Sequence, residues 1–149
     1  MILHSIRAQN WRCLLNPVEI GPFSERLNVI YAPNGTGKSS LFEAMRRALF
    51  DAHHVAGREI EEIRPWGRDL APRVQVEFSE TGARYRVEKV FLDGASATLR
   101  RLENGKFLPM AEGRSADLKL REIFTVPEGP GRGLSRQEHW GLAQVLWAP

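Results

Sequence analysis

The sequence predicts a mixed α/β (α+β) domain in which an antiparallel sheet is packed with helices. Two patterns predict it. The stretch Tyr31-Ala32-Pro33-Asn34-Gly35-Thr36-Gly37-Lys38-Ser39-Ser40 is a glycine loop between an apolar run (Leu27, Val29, Ile30) and an amphipathic run (Leu41, Phe42, Ala44, Met45, Ala48, Leu49). That order reads as strand, loop, helix. From Arg73 onward the apolar period switches to two, with turn signals between short runs, the pattern of an antiparallel meander. Length agrees, since 149 residues suffice for one domain with a real core and not for two of ordinary size.

The first elements follow in order. Ile2, His4 and Ile6 alternate with Leu3, Ser5 and Arg7, predicting a strand with one mainly apolar face. A second short strand is expected at Val18–Ile20, closed by the turn signal Gly21-Pro22. A third, Leu27–Tyr31, should run into the glycine loop. Three strands before the first helix imply an N-terminal sheet beside the loop. The helix should run from about Lys38 to Phe50, with Leu41, Phe42, Met45, Ala48 and Leu49 on its apolar stripe and Glu43, Arg46 and Arg47 turned away.

His53-His54 reads as a solvated loop pair rather than a metal site, because adjacent residues do not share a helix face. Arg58 to Ile63 predicts a short helix stopped by Pro65. The odd Arg64-Pro65-Trp66-Gly67 has two readings, an aromatic anchor on the core or a lip beside the base of a bound nucleotide. Val74, Val76 and Phe78 then face one way, Arg73, Gln75, Glu77 and Ser79 the other. Ala83–Phe91 returns with Tyr85 and Val87 inward, and Ser96–Leu102 makes another strand. Asn104-Gly105 is a two-residue hairpin signal before Phe107–Met110. Ser115 can cap a helix to Phe124 with Ala116, Leu120, Ile123 and Phe124 inward. Residues 125–135 are a glycine- and proline-rich loop, and Leu142, Val145, Leu146 and Trp147 read as strand entry.

Composition is that of a globular chain, with 42% hydrophobic and 26% charged residues. No apolar run approaches the roughly 18–20 residues that span a bilayer, and no signal-peptide pattern is present. With Cys13 the single cysteine, there is no disulfide framework; a cytoplasmic setting is expected, with Cys13 a small buried hydrophobe. The net charge of +3 is spread along the chain, so DNA contact by these residues should be weak and salt-sensitive.

The glycine loop carries the chemistry. It matches the phosphate-binding pattern G-x-x-x-x-G-K-[ST] except that Ala32 stands at the first glycine. Backbone N–H groups of such a loop wrap a polyphosphate, and the N-terminus of the following helix adds partial positive charge. Asn34, Gly35, Thr36, Gly37, Lys38, Ser39 and Ser40 are therefore the candidate nucleotide-binding residues. Lys38 is the cation that reaches the β- and γ-phosphates and the candidate catalytic group. The Ser39 hydroxyl is the candidate Mg²⁺ ligand. ATP and Mg²⁺ are the cofactors expected. A hydrolysing site also needs an acid on the metal and a group that orients water. The one local acid after an apolar run, Asp93, is followed by glycine and reads as turn chemistry. Gly133-Leu134-Ser135-Arg136-Gln137 is only a loose match to the L-S-G-G-Q signature of ABC-type ATPases, with Arg136 where a glycine is needed. The residues thus supply the binding half of an ATPase site without a hydrolytic half.

Ile6-Arg7-Ala8-Gln9-Asn10-Trp11-Arg12, followed by Leu27–Leu41 with its P-N-G-T-G-K-S core, resembles the start of SMC-like ATPases, nearest to the nuclease-associated DNA double-strand-break repair ATPases. The meander, its Asn-Gly hairpin and the helix after it resemble the lobe that follows in that family. The resemblance implies a P-loop NTPase ABC-type half-head with an antiparallel β-meander lobe. It places all 149 residues in one N-terminal lobe: a P-loop core at 1–50, a meander and helical lobe at 56–124, and the loop 125–135. It implies that Arg12 contacts the nucleotide; a surface arginine beside a core Trp11 is the other reading of the same residues. It puts the family's Mg²⁺-touching glutamine just past Pro149, with Gln144 a weaker candidate. The partners it implies are ATP, the C-terminal half of the same head across a long coiled coil, a second head in an ATP-dependent dimer, DNA and a repair nuclease, with no membrane. A RecF-like or defence-associated ATPase of the same lineage, and a nucleotide-binding module without hydrolysis, are the alternatives.

Overall fold

A computed structural model describes residues 1–124. Its frame is one six-stranded antiparallel sheet in the order β2-β1-β3-β4-β5-β6. The strands are β1 (Ile2–Gln9), β2 (Val18–Ile20), β3 (Arg73–Glu80), β4 (Ala83–Val90), β5 (Ser96–Glu103) and β6 (Lys106–Glu112). Three helices complete it: α1 (Lys38–Phe50), the single turn α2 (Arg58–Glu61) and α3 (Gly113–Ile123). The expected N-terminal sheet is not separate. β1 pairs with β2 on one edge and with β3 on the other, so the first strands and the meander share one ladder.

The meander forms because each strand finds its partner nearby in sequence. β3 and β4 are joined at Thr81-Gly82, and β5 and β6 at Asn104-Gly105, both turns with positive φ at the two central residues. Such turns match the right-handed twist of the strands they connect. The period-two reading holds in the core: Val74, Val76, Phe78 and Val87 are at most 2% exposed, and Tyr85 joins them. Phe78 stacks on Tyr85 and meets Phe124 of the α3 end at 5.0 Å between centroids. In β1, Ile6 and Ala8 are buried while Ile2 is exposed, and the register shifts between Leu3 and Ser5.

α1 lies on the same face and buries Leu41, Ala44, Met45, Ala48, Leu49 and Phe50. Two expectations for it fail. Phe42 is exposed, and Arg47 is buried. Arg47 is drawn in by its acidic neighbours one turn away, donating to Glu43 at 3.1 Å and to Asp51 at 2.8 Å. α3 starts two residues before Ser115, which therefore does not cap it; Ala116, Leu120 and Phe124 are buried as expected and Ile123 packs on the core.

The largest departure concerns Leu27–Tyr31. The segment forms no strand, and Leu27, Val29 and Tyr31 are 87%, 76% and 93% exposed. The apolar residues are present, but no described strand lies beside the segment to complete a ladder. The expectations for 125–149, including Gln144, Arg136 and the final strand, lie outside the described residues.

Candidate functional site

The glycine loop is built by a turn upstream and a helix downstream. Trp11 is completely buried, edge-on to Phe91 at 5.6 Å and 85°, a contact worth about 0.5–1.5 kcal/mol beyond the area it buries. From that anchor the chain makes a tight turn in which Trp11 and Leu14 exchange backbone hydrogen bonds of 3.0 and 2.8 Å. Arg12, at its tip, has φ 49° and donates its N–H to the Ile63 carbonyl at 2.8 Å. The turn is thereby pressed against the loop. A Cβ at Gly37 would lie 2.5 Å from Leu14 Cδ2 and 3.0 Å from Cys13 Sγ, and Gly37 has φ 94°. Glycine is required there twice over, by space and by backbone angle.

Gly37 is the N-cap of α1, and the first helical bond runs from Leu41 N–H to the Gly37 carbonyl at 2.9 Å. No side chain caps this end and no acid stands in its first turn. The first amides of the helix are therefore available to an anion, with the helix dipole behind them. Gly35, at φ 81°, turns the loop one step earlier. The Lys38 ammonium crosses back over the loop, donating to the carbonyls of Ala32 (2.6 Å) and Pro33 (2.8 Å). The Thr36 hydroxyl donates to the Pro33 carbonyl at 2.8 Å, which braces the same turn. Asn34, Gly35, Thr36 and Ser39 are exposed, and Ser40 lies 3.7 Å from Cys13 Sγ. Cys13 is exposed beside the loop, contrary to its reading as a core residue, because the 11–14 turn buries Trp11 and Leu14 and leaves the tip outside. The residues present fit a nucleotide phosphate: a loop too tight for a Cβ, uncapped amides, one lysine and one free-standing serine hydroxyl.

Arg12 is tied to this end of α1. Its Nη2 donates to Glu43 Oε1 at 3.2 Å, and Nε lies 3.1 Å from Glu43 Oε2 as an ion pair poorly aligned for a hydrogen bond. Glu43 in turn holds Arg47, so the cation is fixed by a chain of alternating charges along the helix. On its other side Arg12 lines an open cavity of about 540 Å³ with Glu61, Arg64, Trp66 and Arg68. Trp66 is 79% exposed, which removes the core-anchor reading. Arg64 is held by Glu61 (2.8 Å), Asp93 (2.7 Å) and Asp69 (2.6 Å). Hydrogen bonds donated to Asp93 and then to Glu61 raise the Arg64 pKa further above its usual range, and Arg64 keeps the Asp93 carboxyl below its own. Asp93 is thus committed to Arg64, at a turn where Leu92 and Gly94 both have φ 66°.

Sequence reasoning missed a second polar centre. His53 is buried, not solvated: its Nδ1 is 2.6 Å from Asp117 Oδ2, and its N–H donates to the same oxygen at 3.1 Å. Lys89, 1% exposed at an inward position of β4, approaches Asp117 Oδ1 at 2.9 Å and donates to the Asp51 carbonyl. Burial pulls the Lys89 pKa down and Asp117 opposes it; burial pushes Asp117 up, but Lys89 and His53 more than offset it and hold the carboxyl below its usual value. The available signal was Lys89 itself, a lysine at a core-facing position of a period-two strand, which requires a buried acid.

Residues 5–129 match the AAA domain family, most of the chain. The chain belongs to that AAA domain family. Two similar proteins are the DNA double-strand break repair Rad50 ATPases of Sulfolobus acidocaldarius and Methanopyrus kandleri. The first is 27% identical over 83% of this chain, the second 29% over 77%. The chain spans only 14% and 13% of those proteins' lengths. Among solved structures, the SMC head domain from Thermotoga maritima superposes with a TM-score of 0.56 at 23% identity, over 92% of this chain and 46% of that one. The AAA domain described here is accordingly similar to the Rad50 ATPases in sequence and to an SMC head in fold, the fold expected from the N-terminal motifs. Among the described residues no helix is long and apolar enough to cross a membrane.

Proposed function

We propose that this chain is the ATP-binding half of an SMC-like ATPase acting in DNA double-strand-break repair, with ATP-driven head dimerisation coupled to DNA tethering or nuclease control. The observation that carries the nucleotide site is the Gly37 cradle, closed to any side chain by Leu14 and Cys13 and opened onto the uncapped start of α1. In this reading the loop amides of Asn34 to Lys38 hold the β- and γ-phosphates. Lys38 leaves the Ala32 and Pro33 carbonyls to neutralise them, and Ser39 ligates Mg²⁺. Mg²⁺ held by the Ser39 hydroxyl would offset the negative charge of the phosphates. Arg12 is positioned at the loop's side, and the cavity bearing Trp66 extends from it to receive the ribose and base.

Two features support a second half of the head as partner. The apolar segment Leu27–Tyr31 leads into the loop with its backbone unpaired by any described strand. Asp93 is bound to Arg64 and so is not the acid that a hydrolysing Mg²⁺ site needs. The repair assignment rests on the names of the relatives. A partner nuclease and DNA belong to the whole protein rather than to this half.

The test is calorimetric titration of MgATP into the wild-type chain and Lys38→Ala. Losing a charge-assisted contact costs about 1.5–3 kcal/mol, so affinity should fall on the order of 10- to 150-fold with the melting temperature unchanged. Equal affinities would overturn the phosphate site. The chain alone should show negligible turnover; steady phosphate release abolished by Lys38→Ala would instead mean that it holds a complete hydrolytic site.

A further inference from the structure

The turn after α1 and the first turns of α3 bring two imidazoles and a carboxylate together at a place that has no part in the phosphate site. Asp51 leaves α1 in extended conformation, and His53 and His54 follow in a turn. Asp117, 64 residues on from His53, faces them from α3. One ligand atom from each of the three residues lies within 4.8 Å of the others. The two rings meet edge to face, with centroids 5.0 Å apart and planes at 74°, so they approach from different directions.

We propose that His53, His54 and Asp117 form a binding site for a divalent transition-metal ion of the zinc class. Two imidazole nitrogens and one carboxylate are a donor set for zinc and its neighbours, whereas Mg²⁺ and Ca²⁺ take oxygen donors. Three protein ligands leave a fourth position for water. The carboxylate is already oriented for the task. Lys89 holds Oδ1 from the interior at 2.9 Å, and the His53 N–H fixes Oδ2 at 3.1 Å. Metal-binding carboxylates are aimed by outer contacts of this kind.

A structural ion pair explains part of this cluster and not the rest. Lys89, Asp117 and His53 pair with one another without an ion, although Asp117 Oδ1 has the Lys89 ion pair and no aligned hydrogen bond. His54 does not fit that account: its Nδ1 is 3.9 Å from Asp117 Oδ2, too far for a hydrogen bond, yet the ring is turned toward the carboxylate. His54 is also half exposed, which gives an ion a way in and the displaced His53 proton a way out. His54 therefore decides between the two accounts.

The experiment titrates Co²⁺ into the full, untagged, nucleotide-free chain in excess Mg²⁺, follows the visible absorption of the complex, and displaces it with Zn²⁺. Excess Mg²⁺ saturates oxygen-only sites, including any at Ser39. The wild type should develop ligand-field bands that Zn²⁺ abolishes. His54→Ala should weaken Zn²⁺ binding by at least the roughly 10–100-fold that loss of even an outer contact costs, with an unchanged urea midpoint. His4→Ala and His139→Ala should bind as the wild type does. Asp117→Asn should also lose binding; if it fails to fold, His54→Ala still decides. Absence of bands in the wild type, equal affinity in His54→Ala, or loss in His139→Ala instead would each overturn the site.

Discussion

Leu27, Val29 and Tyr31 stand at every second position, as Val74, Val76 and Phe78 do, though with the apolar Ile30 among them; yet the first three are 76–93% exposed and the second three at most 2%. Composition does not separate them, since both sets are apolar residues with good strand propensity. Neighbours do. β3 has β4 joined to it by a two-residue turn and β1 on its other edge. The segment before the phosphate loop has no strand within the described residues to bond to. A strand is a property of a ladder, and a ladder whose second member lies elsewhere cannot be built from local pattern alone.

The comparison is broken most directly in the core. Phe78→Ala should cost about 3–5 kcal/mol, because Phe78 packs on Tyr85 and Phe124 at once. Urea denaturation checks it, and a loss below 1 kcal/mol would mean that the sheet and α3 are not one core. Lys89→Met should be comparably harmful, since breaking a buried pair from one side costs about 3–5 kcal/mol and strands Asp117. The double variant Lys89→Met, Asp117→Leu should recover only part of that loss, because it also removes both contacts that His53 makes with the carboxylate; full recovery would show that those contacts add nothing to stability.

How much of this was legible follows from the same distinction. The meander, its Asn104-Gly105 turn, α1 from Lys38 to Phe50 and the buried Trp11 could be read because their determinants are contiguous. So could the loop chemistry, where residue type and spacing specify the backbone. What could not be read depends on distant partners: Arg47 turned inward, Cys13 left outside by its turn, Trp66 exposed, and His53 paired with a residue 64 positions away. Lys89 is intermediate. Its position in the alternation marked it as buried, but nothing local named Asp117 as its partner.

Gly37→Ala sharpens the contrast at the loop itself. A left-handed φ costs a residue with a Cβ roughly 1–2 kcal/mol, and here the Cβ would also strike Leu14. The chain should lose about that much stability and most of its nucleotide affinity. Gly35→Ala, where φ is 81° but nothing lies within 4 Å, should lose less. Equal effects would mean that contact with the 11–14 turn is not what fixes the loop.

β1 joins both regions, and His4 reports on it. Burial, and then the Arg84 charge, lower its pKa, and its Nε2 lies 2.6 Å from Ser79 Oγ of β3. The folded chain therefore takes up the His4 proton at lower pH than the unfolded chain does. Stability is full above the model-peptide value of about 6.5, falls as pH drops through it, and levels off below the folded pKa. His4→Gln should flatten that slope while leaving neutral-pH stability nearly unchanged; an unaltered slope would assign it to another group.

The smallest effect expected is the most telling. Val29→Thr and Tyr31→Ser should change the stability of this chain by no more than about 0.5 kcal/mol, because side chains 76% and 93% exposed lose nothing on becoming polar. A core strand would lose several times more. The same pair should weaken association with the second half of the head proposed above, if Leu27–Tyr31 completes its ladder there. Destabilisation of the chain by itself would show that the segment packs internally, and the contrast with β3 would then be one of degree. Neutrality of the chain by itself combined with weakened association would support the proposed second half as the neighbour that these exposed apolar side chains lack among the described residues.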